Sequence, residues 1–202
     1  MNKYNRFTRK MISRREILIL CCGKSEHSYF NFIKKHFKYK PQNVTIEILC
    51  SKQNISMPMV EQAINNKEKY FETWVVFDRD KDTEFDKAII KAINSGIRVA
   101  FSNVAFEYWL LLHLTDKSGI IPVSELNRDL TRLLGYEYNK NRNMERVCKD
   151  IMKDITKAED RAKLRHEEHK KDPSKKYSDW CSCTTVYELT KRLREWESIA
   201  GM

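Results

Sequence analysis

The stretch ILILCCGKSEHSYF, Ile17 to Phe30, runs four apolar residues into Cys21-Cys22-Gly23 and then into a polar helix start ending in Tyr29 and Phe30. A short apolar run closed by a glycine turn reads as a buried strand. Tyr29, Phe30, Ile33 and Phe37 recur at helical spacing over SEHSYFNFIKKHFKY, with Ser25 as the expected N-cap. The same strand–turn–helix unit repeats three times. After a turn at Pro41-Gln42-Asn43, VTIEILC (44–50) is a strand, and MPMVEQAINNKEKYF is a helix opened by Pro58. TWVVFD (73–78) is a fully apolar strand. It leads to TEFDKAIIKAINSG (83–96), a helix with Phe85, Ile89, Ile90 and Ile93 on one side and Gly96 as its stop. IRVAFS (97–102) and the apolar helix VAFEYWLLLHL (104–114) complete the series.

Four alternating units predict an α/β fold, an open parallel four-stranded sheet flanked by helices. Ligands of such sheets bind beyond the carboxyl ends of the strands. Those ends supply Cys21-Cys22-Gly23, Cys50-Ser51-Lys52, Asp78-Arg79-Asp80 and Ser102-Asn103. After about residue 115 the pattern turns helical. PVSELNRDLTRLLG is a short helix with Ser124 as its expected cap. A long charged run with the stripe Met144, Val147, Ile151 and Ile155 fades after Ala158, and CTTVYELTKRLREWESI forms a last amphipathic helix. The expected organisation is a flexible basic arm over 1–14, an α/β domain over 15–115 and a helical extension over 116–202 packing on it.

The 202 residues suffice for one domain with a sizeable core. No apolar run approaches the roughly 18 residues of a membrane span, and the basic N-terminus lacks a small-residue cleavage site. Six cysteines without a regular framework read as reduced thiols of a cytoplasmic protein. The net charge of +10 favours a polyanionic partner, nucleic acid first, over the alternative of a merely solvated basic surface.

The sharpest chemical signal is VVFDRDKD. Asp78 closes a buried strand and Asp80 follows two residues later, which aims two hard oxygen donors into one crevice. Such a pair suits Mg²⁺ or Mn²⁺ and phosphodiester chemistry; the bland reading is a solvated turn in which Asp78 caps the next helix. Glu107 stands in an apolar helix, where a carboxylate is costly unless paired or metal-bound. His113 lies on another face of that helix and reads as a core histidine; Asn103 is the helix's expected cap. Lys24, after the turn glycine, can reach a phosphate at the helix N-terminus or face solvent. His166, His169, Cys181 and Cys183 have zinc-compatible side chains at an unusual spacing. Lys157, Arg161, Lys163, Arg165, Lys170, Lys171, Lys175 and Lys176 offer a basic helical face, interleaved with acids.

Four motifs in order, CCGKSEHSYF, FDRDKD, SNVAFEYWLLLH and CTTVYELTKRL, make the chain resemble the RloB-like proteins, a branch of the Toprim fold. The resemblance covers residues 15–195. It implies a Toprim-type metal-dependent endonuclease of bacterial anti-phage defence. It also implies an AAA- or ABC-type ATPase partner, an RNA substrate with tRNA as the relatives' precedent, and a homodimer as a candidate assembly. In the family pattern the residue before the turn glycine is glutamate, where this chain has Cys22; the family's proline is Val104 here. Three readings of Cys22 stand. The site is disabled; or Glu26 supplies the carboxylate from the first helical turn; or Cys22 is a small buried residue beside a site of Asp78, Asp80 and Glu107. The residues and the resemblance together nominate Cys22, Glu26, Asp78, Asp80 and Glu107 for catalysis. Asp78, Asp80 and Glu26 are the expected ligands of Mg²⁺ or Mn²⁺, and Gly23 and Lys24 the expected contacts of a substrate phosphate. The alternative function is a catalytically disabled module that binds its ATPase or nucleic acid.

Overall fold

The computed structural model describes residues 15–37, 39, 44–51 and 55–200. The expected basic arm, the turn at Pro41-Gln42-Asn43 and Lys52 lie outside the described residues. The elements in chain order are β1 (Arg15–Cys21), α1 (Lys24–His36), β2 (Val44–Cys50), α2 (Ser56–Asn66), β3 (Glu72–Asp78), α3 (Phe85–Asn94), β4 (Arg98–Asn103) and α4 (Glu107–Leu114). There follow α5 (Val123–Leu134), α6 (Met144–Ile151), α7 (Ile155–Lys170), β5 (Cys183–Thr184) and α8 (Val186–Ala200).

The strands lie in the order β2-β1-β3-β4-β5. The first four are parallel, and β5 is antiparallel to β4. Parallel sheets are covered on both faces, which is why β1 and β3 read as continuous apolar runs. Alternate residues of β1 serve the two faces. Ile17, Ile19 and Cys21 join the core made with α1, α4 and the C-terminal helices. Leu18 and Leu20, with Cys22 just beyond the strand, join the core made with α2 and α3. Helix α4 is buried from Glu107 to His113, as expected of a helix apolar all round, and it packs against α5 and α7.

Five strands replace the four expected from sequence. The segment expected to open the last helix first pairs with the free edge of β4. The Thr185 N–H donates to the Phe101 carbonyl at 2.9 Å, and Phe101 N–H donates to Thr185 Oγ1 at 2.9 Å. The Ser102 and Thr184 hydroxyls bond at 2.9 Å. A β-branched pair beside an open strand edge takes the extended form.

Several helix ends also differ. Helix α1 begins at Lys24, with extended Gly23 as N-cap, so Ser25 is already inside the helix. Helix α5 follows Pro122 rather than a Ser124 cap, and Gly135, at φ 76°, closes it. Asn103 does not cap α4; its amide donates to the Tyr177 and Ser178 carbonyls at 3.2 and 3.0 Å, which ties the end of β4 to the loop before β5. In α3, Phe85, Ala88, Ile89 and Ala92 form the buried face, leaving Ile90 and Ile93 51% and 52% exposed on the flank. The long charged run is broken by a 3₁₀ turn at Met152–Asp154. The buried stripe of α7 continues through Ala162 and His166. Among the described residues no helix is long and apolar enough to cross a membrane.

Candidate carboxylate site at the strand ends

Three parallel strands deliver the site. Past β1, Cys22 N–H donates to the Val76 carbonyl of β3 at 2.8 Å, so the chain follows its neighbour for one more residue before turning at Gly23. Past β3, Arg79 N–H and Asp80 N–H donate to the Ser102 and Val104 carbonyls, each at 3.0 Å. Asp80 takes a left-handed conformation, φ 32°, which aspartate tolerates better than most residues. The third acid of the motif, Asp82, is structural. Its carboxylate accepts the Glu84 N–H at 2.8 Å and the Ser56 N–H at 2.9 Å, which joins the starts of α3 and α2.

Glu26 is the third residue of α1. Its carboxylate folds back over the turn, where a methyl group on Gly23 would lie 2.6 Å from Oε2. It is 4% exposed. Burial, then repulsion from Asp78, pushes its carboxyl up to about 8, against the opposing pull of its own backbone N–H. Asp78 is pushed up to about 7 by burial and by Glu107, with Phe106 N–H opposing at 3.4 Å. Glu107 is 6% exposed and accepts the Tyr138 hydroxyl at 3.0 Å. Burial and a nearby like charge together raise a carboxyl in this way, as at Glu26 and Asp78.

The residues nominated for catalysis, metal and phosphate meet in one cleft. Cys22, Gly23, Lys24, Glu26, Asp78, Asp80 and Glu107 line a cavity of about 670 Å³. Cys22 is 7% exposed, and burial followed by Glu26 pushes its thiol up to about 12. In the metal-free cleft it is therefore a neutral thiol at the edge of the α2–α3 core. Lys24 is solvent-exposed at the helix start. Among the described residues no group of three or more His, Cys, Asp or Glu side chains is arranged so that it could hold a metal ion.

Sequence reasoning missed Tyr138, Lys140 and Asn141. They sit in the loop between α5 and α6; Lys140 and Asn141 line the cleft, and the field of Lys140 opposes the rise at both Glu26 and Asp78. The segment YNKNRN has no periodicity and no motif that points to the strand ends.

The other sequence candidates lie elsewhere. The ring of His113 bonds the Tyr29 hydroxyl at 3.2 Å and the Trp109 carbonyl at 3.0 Å, and burial pushes it down to about 4, which makes it a neutral core histidine. His166 meets the Tyr187 hydroxyl at 2.9 Å, and His169 bonds the Cys181 carbonyl at 2.8 Å and stacks on Trp180. Cys183 is buried in β5 while Cys181 is exposed, so these four side chains do not converge. Much of the basic helical face is engaged locally. Lys157 pairs with Asp154, Arg165 with Asp116, Lys170 with Glu167, and Arg161 donates to the Leu112 carbonyl.

Fold and site together define an α/β protein with a mostly parallel five-stranded sheet and a carboxylate-lined cleft beyond its strand ends. The chain belongs to the RloB-like protein family, whose model matches residues 17–193, from β1 into α8. No curated protein and no solved structure matches the chain.

Proposed function

We propose that this protein is a Toprim-like, metal-dependent nuclease effector of bacterial anti-phage defence. In this reading it acts in the cytoplasm on RNA, tRNA first, under the control of an ATPase partner. The observation that carries the chemistry is the burial of Glu26, Asp78 and Glu107 in one cleft, with repulsion and desolvation acting on the first two. Hard carboxylate oxygens held against their own repulsion match a hard divalent cation better than the soft sulfur of Cys22 does. Asp78, Asp80 and Glu26 would hold Mg²⁺ or Mn²⁺, with Glu107 kept in place by Tyr138. Such an ion supplies polarisation of the scissile phosphate and activation of water. Glu26 retains a proton near neutral pH in the metal-free cleft, Phe106 N–H orients Asp78, and Lys24 and Lys140 present cations to a phosphate backbone. The net charge of +10 is consistent with a polyanionic substrate. The defence role and the ATPase rest on the family resemblance.

The test is cleavage of total tRNA, with single- and double-stranded DNA as comparison, in Mg²⁺ and Mn²⁺. Metal-dependent cutting that disappears in Asp78→Ala supports the reading. Cutting that survives in Asp78→Ala sinks it. A second reading, a non-catalytic module binding the ATPase or nucleic acid, draws on Cys22 and on the lack, among the described residues, of any group of three or more His, Cys, Asp or Glu side chains arranged to hold a metal ion. It predicts that only Cys22→Glu cuts, or that neither form does.

A further inference from the structure

The carboxylates do not sit at the bottom of a single bowl. Asp78, Asp80 and Glu107 also line a second cavity of about 340 Å³, and Lys140 and Asn141 border both. The acids therefore form a ridge between two compartments of different character. The larger one carries the cations Lys24, Arg79 and Lys81 and the start of α1. The smaller one is lined by Ala105, Val123 and Tyr138 together with Asn127 and Asn139; Lys140 is its lining cation, and Asn139 Oδ1 already accepts the Asn141 N–H at 3.0 Å. Asn127 is exposed on α5, and its amide has no hydrogen bond among the described residues. Apolar and aromatic side chains beside an open carboxamide, that of Asn127, are the chemistry that accepts a nucleobase, since an Asn amide pairs with a base edge in bidentate fashion. The smaller compartment is near the lower end of the roughly 300–1,000 Å³ range of small-molecule sites. That is room on the scale of one nucleotide lifted out of a stack. Sequence-specific RNA recognition in general reads such splayed bases.

We propose that the smaller compartment is a base-reading pocket for one unpaired nucleotide next to the scissile phosphate, with Asn127 as its specificity-determining residue and Lys140 holding the phosphate between the compartments. This inference rests on the nuclease reading of the same site. The substrate crosses the acidic ridge as a single strand, its backbone on the cationic side and one base on the amide side.

Binding of fluorescein-labelled RNA octamers of differing base composition, and of a duplex of the same length, is measured by anisotropy in Ca²⁺ for the full chain, Asn127→Leu and Lys140→Ala. Cleavage of the same RNAs in Mn²⁺ is followed in parallel, and thermal melting confirms that each variant is folded. The expected result is that single strands bind at least about tenfold tighter than the duplex and that compositions differ by roughly ten- to a hundredfold. Asn127→Leu flattens that preference, and Lys140→Ala weakens all single strands alike. Equal binding of duplex and single strand, or a base preference untouched by Asn127→Leu, overturns the pocket. If the binding pattern holds and nothing is cleaved, the nuclease reading fails and the pocket stands. If cleavage proceeds without strand or base preference, the pocket falls and the nuclease reading stands.

Discussion

Glu26 and Gly23 are fitted to each other: a Cβ on Gly23 would stand 2.6 Å from Glu26 Oε2 and 3.1 Å from Oε1. The backbone of Gly23 is extended, φ −119° and ψ 169°, a conformation open to any residue, so the glycine is required for space and not for its dihedral freedom. The turn glycine thus clears the volume into which a carboxylate folds from the first helical turn.

Gly23→Ala should consequently act on the site more than on the fold. The clashing atoms are the end of a flexible side chain, which can swing away. We expect stability to change by about 0.5 kcal/mol or less and metal-dependent cleavage to fall at least about tenfold as Glu26 is displaced. Urea unfolding and tRNA cleavage of the one variant, compared with Glu26→Gln, check both halves.

In metal-free protein two sets of groups bend stability in opposite directions with pH. Burial first, and then like charge, raises Glu26 from 4.5 to about 8 and Asp78 from 3.8 to about 7. Between these limits the folded chain keeps protons that the unfolded chain has released, so stability falls as pH rises through the window. Burial lowers His113 and His166 from 6.5 to about 4. There the unfolded chain binds more protons, so their contribution is present above 6.5 and is lost as pH falls toward 4. The two pairs of slopes cancel between about pH 4.5 and 6.5, so stability in EDTA should be flat across that range and fall from about pH 6.5 to 8. Glu26→Gln should stabilise by roughly 1–3 kcal/mol at pH 8 and by little at pH 4.5. A Glu26→Gln variant with unchanged stability at pH 8 would contradict the buried, repelled carboxyl.

Cys22 should behave as an inert thiol. Of six cysteines, Cys50 and Cys181 are exposed, and a disulfide reagent should modify these two quickly in the native protein while Cys22, 7% exposed at the cleft wall, reacts much more slowly. Cys22→Glu would add a further acid beside Glu26 and Asp78, and we expect it to destabilise the metal-free protein by about 1–3 kcal/mol at pH 8, with Mn²⁺ restoring the loss. Rapid native-state labelling at Cys22, read by peptide mass mapping, would show the thiol to be more accessible than its packing implies.

The parallel sheet was legible because β1 and β3 are apolar on both faces and each ends at a recognisable turn. The carboxylates were legible for the same reason: Asp78 marks a strand end, and Glu107 breaks an apolar helix. Strand β5 was not, since two residues, Cys183 and Thr184, are too few to show an alternation, and only the open edge of β4 makes them a strand. Ile90 and Ile93 were misplaced because an apolar residue on a helix flank fits the period nearly as well as one on the buried face. Tyr138, Lys140 and Asn141 were invisible because their role comes from the path of a polar loop between α5 and α6, which carries no periodicity. The readings of Cys22 that sequence left open turn on distances: the Glu26 carboxylate packs over Gly23, and nothing in the order of residues shows that it folds back.

The most direct test of the central claim, that the buried acids form a divalent-cation site, is calorimetric titration of Mn²⁺ into the full chain at pH 7.5, repeated in buffers of different ionisation enthalpy. The account predicts saturable binding accompanied by release of protons from Glu26 and Asp78, with both effects lost in Asp78→Ala. Absence of saturable binding, or binding of the same strength in Asp78→Ala, would contradict it.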